Sequence, residues 1–300
     1  MSSLKRTLQA AWGELSDAVR SRRALVMMCL YLLFGVCCMY TSTSALGKME
    51  RELASVLKLP ETEKAGVVSA TLWKSQPFRK LVKAAVRDDL VYRAIEGRHP
   101  AELIYAWFAF FCAPLLVVLV AGNRVAEDLG SGAVRYAIVR CTRMEWTMGK
   151  YLGQAGMIGV SLVVGAIGAW TVAVFRLSGV DALKLLPSMV GWGLKAWLCS
   201  LSWLGLAMGI SHVTKSGSRA TGLGLLAMVA MLALPGILAL NADYFELPWL
   251  KNFEVISPSS ATRGLWRNTF TPIAAAAIHL IMLGMGFLIL GHEVFSRRDA

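Results

Sequence analysis

The residue types and spacings with most chemical potential in this chain lie in VAEDLGSGAVRYAIVRCTRMEWTMGKYLG, residues 125–153. Asp128 and Gly132 stand four apart, Arg135 follows at three, Arg140 and Arg143 stand three apart, and Gly149 and Lys150 close the stretch. An acidic residue early in a helix and basic residues toward its end suit the helix dipole. The chemistry on offer is docking rather than bond-making: a short helix whose Arg140 and Arg143 reach partner carboxylates or backbone carbonyls. Plain anchoring of a membrane protein by basic residues fits the same charges.

Two further residues invite a chemical reading. Lys195, in GWGLKAWLCSLSW, is the charge deepest inside an apolar run, where a charge is costly and often faces a bundle interior or a water-filled cavity. It lies about 12 Å along a helix from Pro187, so its stem also reaches the outer surface by snorkelling. His279, flanked by AAAAI and LIML, is either bonded to a neighbouring helix or part of a substrate path. His99, His212 and His292 sit at the ends of apolar runs, and no metal-ligand spacing links the four histidines. Nor is there an HExxH, a GxSxG or a pair of intramembrane carboxylates, so neither a catalytic residue nor a metal site is expected. Cys29, Cys37, Cys38, Cys112, Cys141 and Cys199 lie in apolar runs or in the charged stretch and form no disulfide framework.

The elements that must position these residues are membrane spans. Fifty-six per cent of the residues are apolar, which exceeds the usual share for a soluble domain. About 20 apolar residues as helix cross a hydrocarbon core, and six such runs occur at 24–46, 102–121, 151–176, 187–213, 219–241 and 271–293. The fold class expected is therefore all-α, a polytopic membrane protein. Placing the amino terminus in the cytoplasm puts Lys5, Arg6, Arg20, Arg22, Arg23, Arg124, Arg135, Arg140, Arg143, Lys150, Lys215, Arg219, Arg297 and Arg298 inside. Both termini are then cytoplasmic. The net charge of +12 reads mostly as this topological signal, and no nucleic-acid partner is expected. TSTSAL after the first run resembles a signal-peptide cleavage site, but the 23 preceding residues, carrying Glu14 and Asp17, favour a retained span.

Residues 1–23 form an amphipathic segment: Leu4, Leu8, Ala11, Trp12, Leu15 and Val19 recur at three- and four-residue steps. A helix in the inner membrane interface follows, or one packed on a soluble partner. The rest, 24–300, is one transmembrane domain with three notable connections. Loop 47–101 is extracytoplasmic; over 76–96, Phe78, Leu81, Val82, Ala85 and Val86 share a helical face, and Pro100 opens the next span. Loop 122–150 is cytoplasmic. Segment 242–270 carries Tyr244, Phe245, Trp249, Phe253 and Trp266 and is expected to be re-entrant or to lie at the outer bilayer surface. Pro235-Gly236 marks a kink.

The charged stretch resembles the signature loop of permease subunits of ATP-binding-cassette (ABC) transporters of the ABC-2 type. In that class an acidic residue precedes a Gly-Thr pair, a short apolar helix follows, and a basic residue is succeeded seven positions later by Gly-Lys. Asp128, Gly132, Arg143 and Gly149-Lys150 hold these places; Ala133 stands for the threonine, and Cys141-Thr142 where a proline-containing turn is common. The resemblance implies two permeases, as homodimer or heterodimer, with two cytoplasmic ATPase subunits that receive the loop. It also implies a bacterial inner (cytoplasmic) membrane. No GxxxxGK[ST] loop occurs, so ATP and its Mg are expected on the partner ATPase and no cofactor on this chain. Asp128, Gly132, Arg135, Arg140, Arg143, Gly149 and Lys150 are the candidate coupling residues, with Gly132 and Gly149 permitting turns, and Lys195 and His279 are the candidate substrate path. Export of an amphipathic or lipid-like molecule is expected, in contact with membrane lipid. Two alternatives stay open: a mechanical transmitter docking an extracytoplasmic partner protein on 47–101, and a membrane-embedded enzyme using His279 or Lys195.

Overall fold

The computed structural model describes residues 3–57, 76–86 and 88–297 and is all-helical, with no strand among the described residues. In chain order the helices are α1 (Ser3–Arg20), α2 (Arg23–Leu57), α3 (Gln76–Val86), α4 (Asp89–Ile95), α5 (Pro100–Ala121), α6 (Arg124–Ser131) and α7 (Val134–Ile138). They are followed by α8 (Arg143–Arg176), α9 (Ala182–Ser211), α10 (Gly217–Tyr244), a 3-10 segment (Pro248–Ile256), α11 (Pro258–Leu265) and α12 (Phe270–Ser296). Six of these, α2, α5, α8, α9, α10 and α12, are long and apolar enough to cross a membrane.

Helix α9 is the axis of the bundle, packing on α5, α8, α10 and α12, while α8 joins α1 and α2 to it. Its most apolar stretch is 72 % buried inside the chain, against 11 % for α10 at the periphery. Small residues set this arrangement. In lipid, helices associate through close packing rather than through expulsion of water, and glycine lets backbones approach. Gly205 and Gly284 meet backbone to backbone between α9 and α12, and Gly35 and Gly165 do the same between α2 and α8. A Cβ at Gly35, Gly205 or Gly284 would collide with the opposing main chain, and one at Gly165 would crowd the Tyr31 carbonyl.

Where the helices stop is chemically marked. Arg22, at φ 60°, separates α1 from α2. Thr142 opens α8 with a capping box: its hydroxyl accepts from Glu145 N while the Glu145 carboxylate accepts from Thr142 N. The third span therefore begins eight residues before its apolar run. His99 caps α5, its Nδ1 accepting from Ala101 N at 3.2 Å. The predicted kink at Pro235-Gly236 leaves α10 a continuous helix.

Outside the spans two expectations change in detail. The helix expected over 76–96 is two, because Asp88 breaks the run and caps α4, accepting from Leu90 N and Val91 N. Asp88 also pairs with Arg267 at 2.9 Å. The Arg267 hydrogen bond, followed by the two backbone donors, holds its carboxyl below the ordinary 3.8. Of the predicted face, Val82 and Val86 are partly buried; the side chains of Phe78, Leu81 and Ala85, and residues 58–75, lie outside the described residues. The segment after α10 folds back along the bundle: Ser257 donates to the carbonyl of Met231, near the middle of α10, at 2.7 Å. Trp266 packs against Phe110 and Trp192 with ring centroids 5.2 and 4.9 Å apart, while Tyr244 and Trp249 stay exposed.

Candidate functional site

The charged stretch folds as two short helices at one end of the bundle, not one helix. Gly132 stops α6 in the left-handed conformation, φ 75°, which a residue with a Cβ adopts only at a cost. The chain then restarts as α7 and turns again at 139–142 before α8.

Helix α6 is wedged among the span ends. Its Ala126 N donates to Ser211 Oγ at 2.8 Å, tying it to the end of α9. Gly130 abuts the carbonyl of Lys215, and Gly217, at the start of α10, abuts Glu127. Helix α7 is the opposite. Val134 is buried, whereas Arg135, Tyr136, Val139 and Arg140 are exposed, Tyr136 and Val139 to more than 80 %. No ion pair engages Arg135 or Arg140 among the described residues.

The other predicted coupling residues do different work. Arg143 Nη1 donates to the carbonyls of Phe295 and Ser296 at 3.0 and 2.9 Å, and its guanidinium lies 5.1 Å from the Phe295 ring centroid. It thus clamps the last turn of α12, where a cation complements the helix dipole. Gly149 was expected at a turn, but it lies within α8. Its missing side chain instead admits α1, with Ala10 and Ala11 close against it. Lys150 is buried. Its Nζ sits 2.6 Å from Glu14 Oε2 and 2.6 Å from Asp128 Oδ2, joining α8 to α1 and to α6.

Glu14 is the residue that sequence reasoning missed. Read along α1 it belongs to the polar face, yet its side chain is 5 % exposed. Besides Lys150 it accepts from Gln154 Nε2 at 2.7 Å and lies 3.5 Å from Arg124 Nε. Arg124 in turn pairs with Glu127 at 2.7 Å. Burial pushes the Glu14 carboxyl up, but Lys150, then Arg124 and Gln154, outweigh it and hold it below the ordinary 4.5. A signal was present: Ala11, Glu14 and Ala18 share one helical face, and small residues around an acid mark a contact surface rather than a solvated one. Leu4, Leu8, Trp12 and Val19 are all more than half exposed. The apolar stripe of α1 therefore splits, with Ala11 and Leu15 against the protein and Leu4, Leu8, Trp12 and Val19 away from it.

Near the same end the Thr147 hydroxyl lies 3.2 Å from both His212 Nε2 and His292 Nδ1, linking α8, α9 and α12. Arg6 reaches Glu145 at 3.1 Å, a second tie between α1 and α8. Helix α6 is thus tied to α1, α8 and α9, and α8 to α12.

Lys195 and His279 are not brought together. Lys195 Nζ donates to the carbonyl of Arg267 at 3.2 Å and lies 4.3 Å from the Trp192 ring centroid. His279 Nε2 is 2.9 Å from the carbonyl of Val255. Both hold the folded-back segment against the bundle. Among the described residues no cluster of three or more His, Cys, Asp or Glu is placed to hold a metal.

Compared with known proteins, residues 8–300 match a family model described as ABC-2 family transporter protein. No curated protein matches the chain.

Proposed function

The chain belongs to the ABC-2 transporter family, a permease component of an ABC transporter, and from that premise we propose that α6 and α7 couple it to a cytoplasmic ATPase subunit. The observation that carries this reading is the division of labour across Gly132: α6 is built into the span ends, and α7 with the turn that follows it presents Arg135, Tyr136, Val139 and Arg140 outward. Two arginines flanking an exposed aromatic and a valine form a docking knob, since Arg and Tyr are the residues that interfaces favour. Closure of the ATPase pair on ATP displaces α7. The displacement passes through Lys150 to α1 and α8, and through Arg143 to α12. ATP and Mg are held by the partner; this chain supplies the lever.

The bacterial inner membrane, with both termini in the cytoplasm, is the setting that fits the basic end of the bundle. A second permease, identical or not, completes the assembly. Helix α10 exposes Leu223, Leu226, Val229, Leu232 and Leu240, an apolar face suited to a second subunit or to an amphipathic, lipid-like cargo moving outward. Lys195 and His279, occupied by backbone carbonyls, shape the outer segment rather than contact that cargo.

The test is co-purification from native membranes. Arg135→Glu with Arg140→Glu is expected to lose the ATPase while the chain stays folded, because neither side chain has an ion-pair partner among the described residues. Retention of a fully active ATPase by this double variant would refute the coupling role of α7.

A further inference from the structure

We infer that the elbow between α1 and α2 is a binding site for one phospholipid of the adjacent leaflet, with an anionic phosphodiester and a hydroxyl-bearing headgroup. This rests on the membrane placement of the chain and not on its coupling to an ATPase.

A cavity of about 140 Å³ opens there, lined by Ala18, Arg23, Val26, Met27, Arg124 and Gln154, among others. It lies between the end of α1, the first turn of α2, the last turn of α5 and α8. Its walls are mostly apolar, and its size approaches that of a cavity that holds benzene, enough for a glycerol backbone and the first methylenes of a chain. Val26, 55 % exposed, and the partly exposed Arg23 mark the mouth, so the cavity opens sideways where lipid stands.

Three polar features specify what enters. The Arg23 Nε donates to Ser21 Oγ at 2.6 Å, and no carboxylate pairs with its guanidinium among the described residues. With Arg20 and Arg22 it makes a basic elbow of the kind that attracts anionic headgroups. Arg23 also opens α2, a 35-residue helix whose first N–H groups lack intrahelical partners and favour an anion. The third feature is Gln154. It is 1 % exposed, its Nε2 is committed to the Glu14 carboxylate, and its Oε1 is buried with no partner. The assignment is fixed by chemistry, because a carboxylate accepts and only the amide nitrogen donates to it. An orphaned buried acceptor costs stability until a donor reaches it. A phosphodiester bears no donor, but a hydroxylated headgroup does. The phosphate at Arg23 and a headgroup hydroxyl at Gln154 together satisfy the cavity.

The full-length chain in detergent, titrated with phosphatidylglycerol and examined by native mass spectrometry, tests this directly. One phosphatidylglycerol per chain is expected to survive, retained about tenfold better than phosphatidylcholine, which has the same phosphodiester but offsets its charge with choline and carries no hydroxyl donor for Gln154. Phosphatidylmethanol, anionic without a hydroxyl donor, should fall between them. Arg23→Gln, and Val26→Trp placed to plug the mouth at an exposed position, should each abolish the preference; Arg297→Gln, an exposed cytoplasmic-end control, should keep it. Equal retention of phosphatidylglycerol and phosphatidylcholine, or equal loss in Arg23→Gln and Arg297→Gln, would overturn the proposal. So would a change of oligomeric state in Val26→Trp with lipid retention untouched, which would assign the cleft to a second subunit.

Discussion

At the scale of single residues the centre of the molecule is the ion pair of Lys150 with Glu14. Both are nearly buried, and a buried charge that loses its partner is strongly destabilising. Lys150→Met strands Asp128 and half of the Glu14 carboxylate, and is expected to cost about 3 kcal/mol; thermal unfolding in detergent measures it. Glu14→Gln keeps the shape and leaves Lys150 its Asp128 partner, so its cost should be smaller. The network also dictates a pH dependence. The Glu14 carboxyl is held below 4.5 when α1 is docked, so its contribution is fully present above that value and is lost as the pH falls below it. Hydrogen-exchange protection of α1, corrected for intrinsic rate, should therefore be flat near neutrality and collapse in acid. Protection that rose on acidification would contradict the pairing.

At the scale of elements, the sequence was most informative where one physical rule dominates. Six apolar runs became six long helices because lipid leaves a backbone no other way to satisfy its hydrogen bonds. The ends were harder to read. Helix α8 reaches back to Arg143 because the Thr142–Glu145 capping box starts it, and hydropathy carries no record of a cap. The helix expected across 125–143 divides at Gly132, whose left-handed φ depends on the turn the neighbouring spans demand. The partners of Glu14 lie 110 to 140 positions away, so a single sequence can mark its face as a contact surface but cannot name what it pairs with. Two predictions belong here. Gly132→Val forces a β-branched residue to φ 75°, at about 1–2 kcal/mol, and should depress ATPase stimulation more than it lowers the melting temperature, since α7 is re-aimed while the spans are untouched. Lys195→Met should leave the bundle assembled but speed proteolysis within 245–269, because the Arg267 carbonyl loses its donor; unchanged proteolysis would remove the anchoring role.

At the scale of the whole molecule, one end of the bundle is a mechanical junction and the other is a cap of aromatic and paired polar residues. Span count was legible, because six apolar runs of sufficient length stand apart in the sequence. The inward commitment of Lys150 and Arg143 was not, because a lysine anchoring a membrane face and one buried against a glutamate look alike in sequence. The proposed orientation predicts that a cysteine at Val139 labels with an impermeant thiol reagent only after the cells are opened, whereas one at Leu183, 88 % exposed at the opposite end, labels in intact cells. The central claim is that α7 seats in an ATP-hydrolysing subunit. It is tested most directly by placing a photoreactive amino acid at position 136, in place of the exposed Tyr136, and illuminating native membranes. The account predicts one dominant cross-linked species containing an ABC ATPase, absent when the probe stands at position 183. Cross-links from position 136 that contain only lipid, or a protein without ATPase activity, would contradict it.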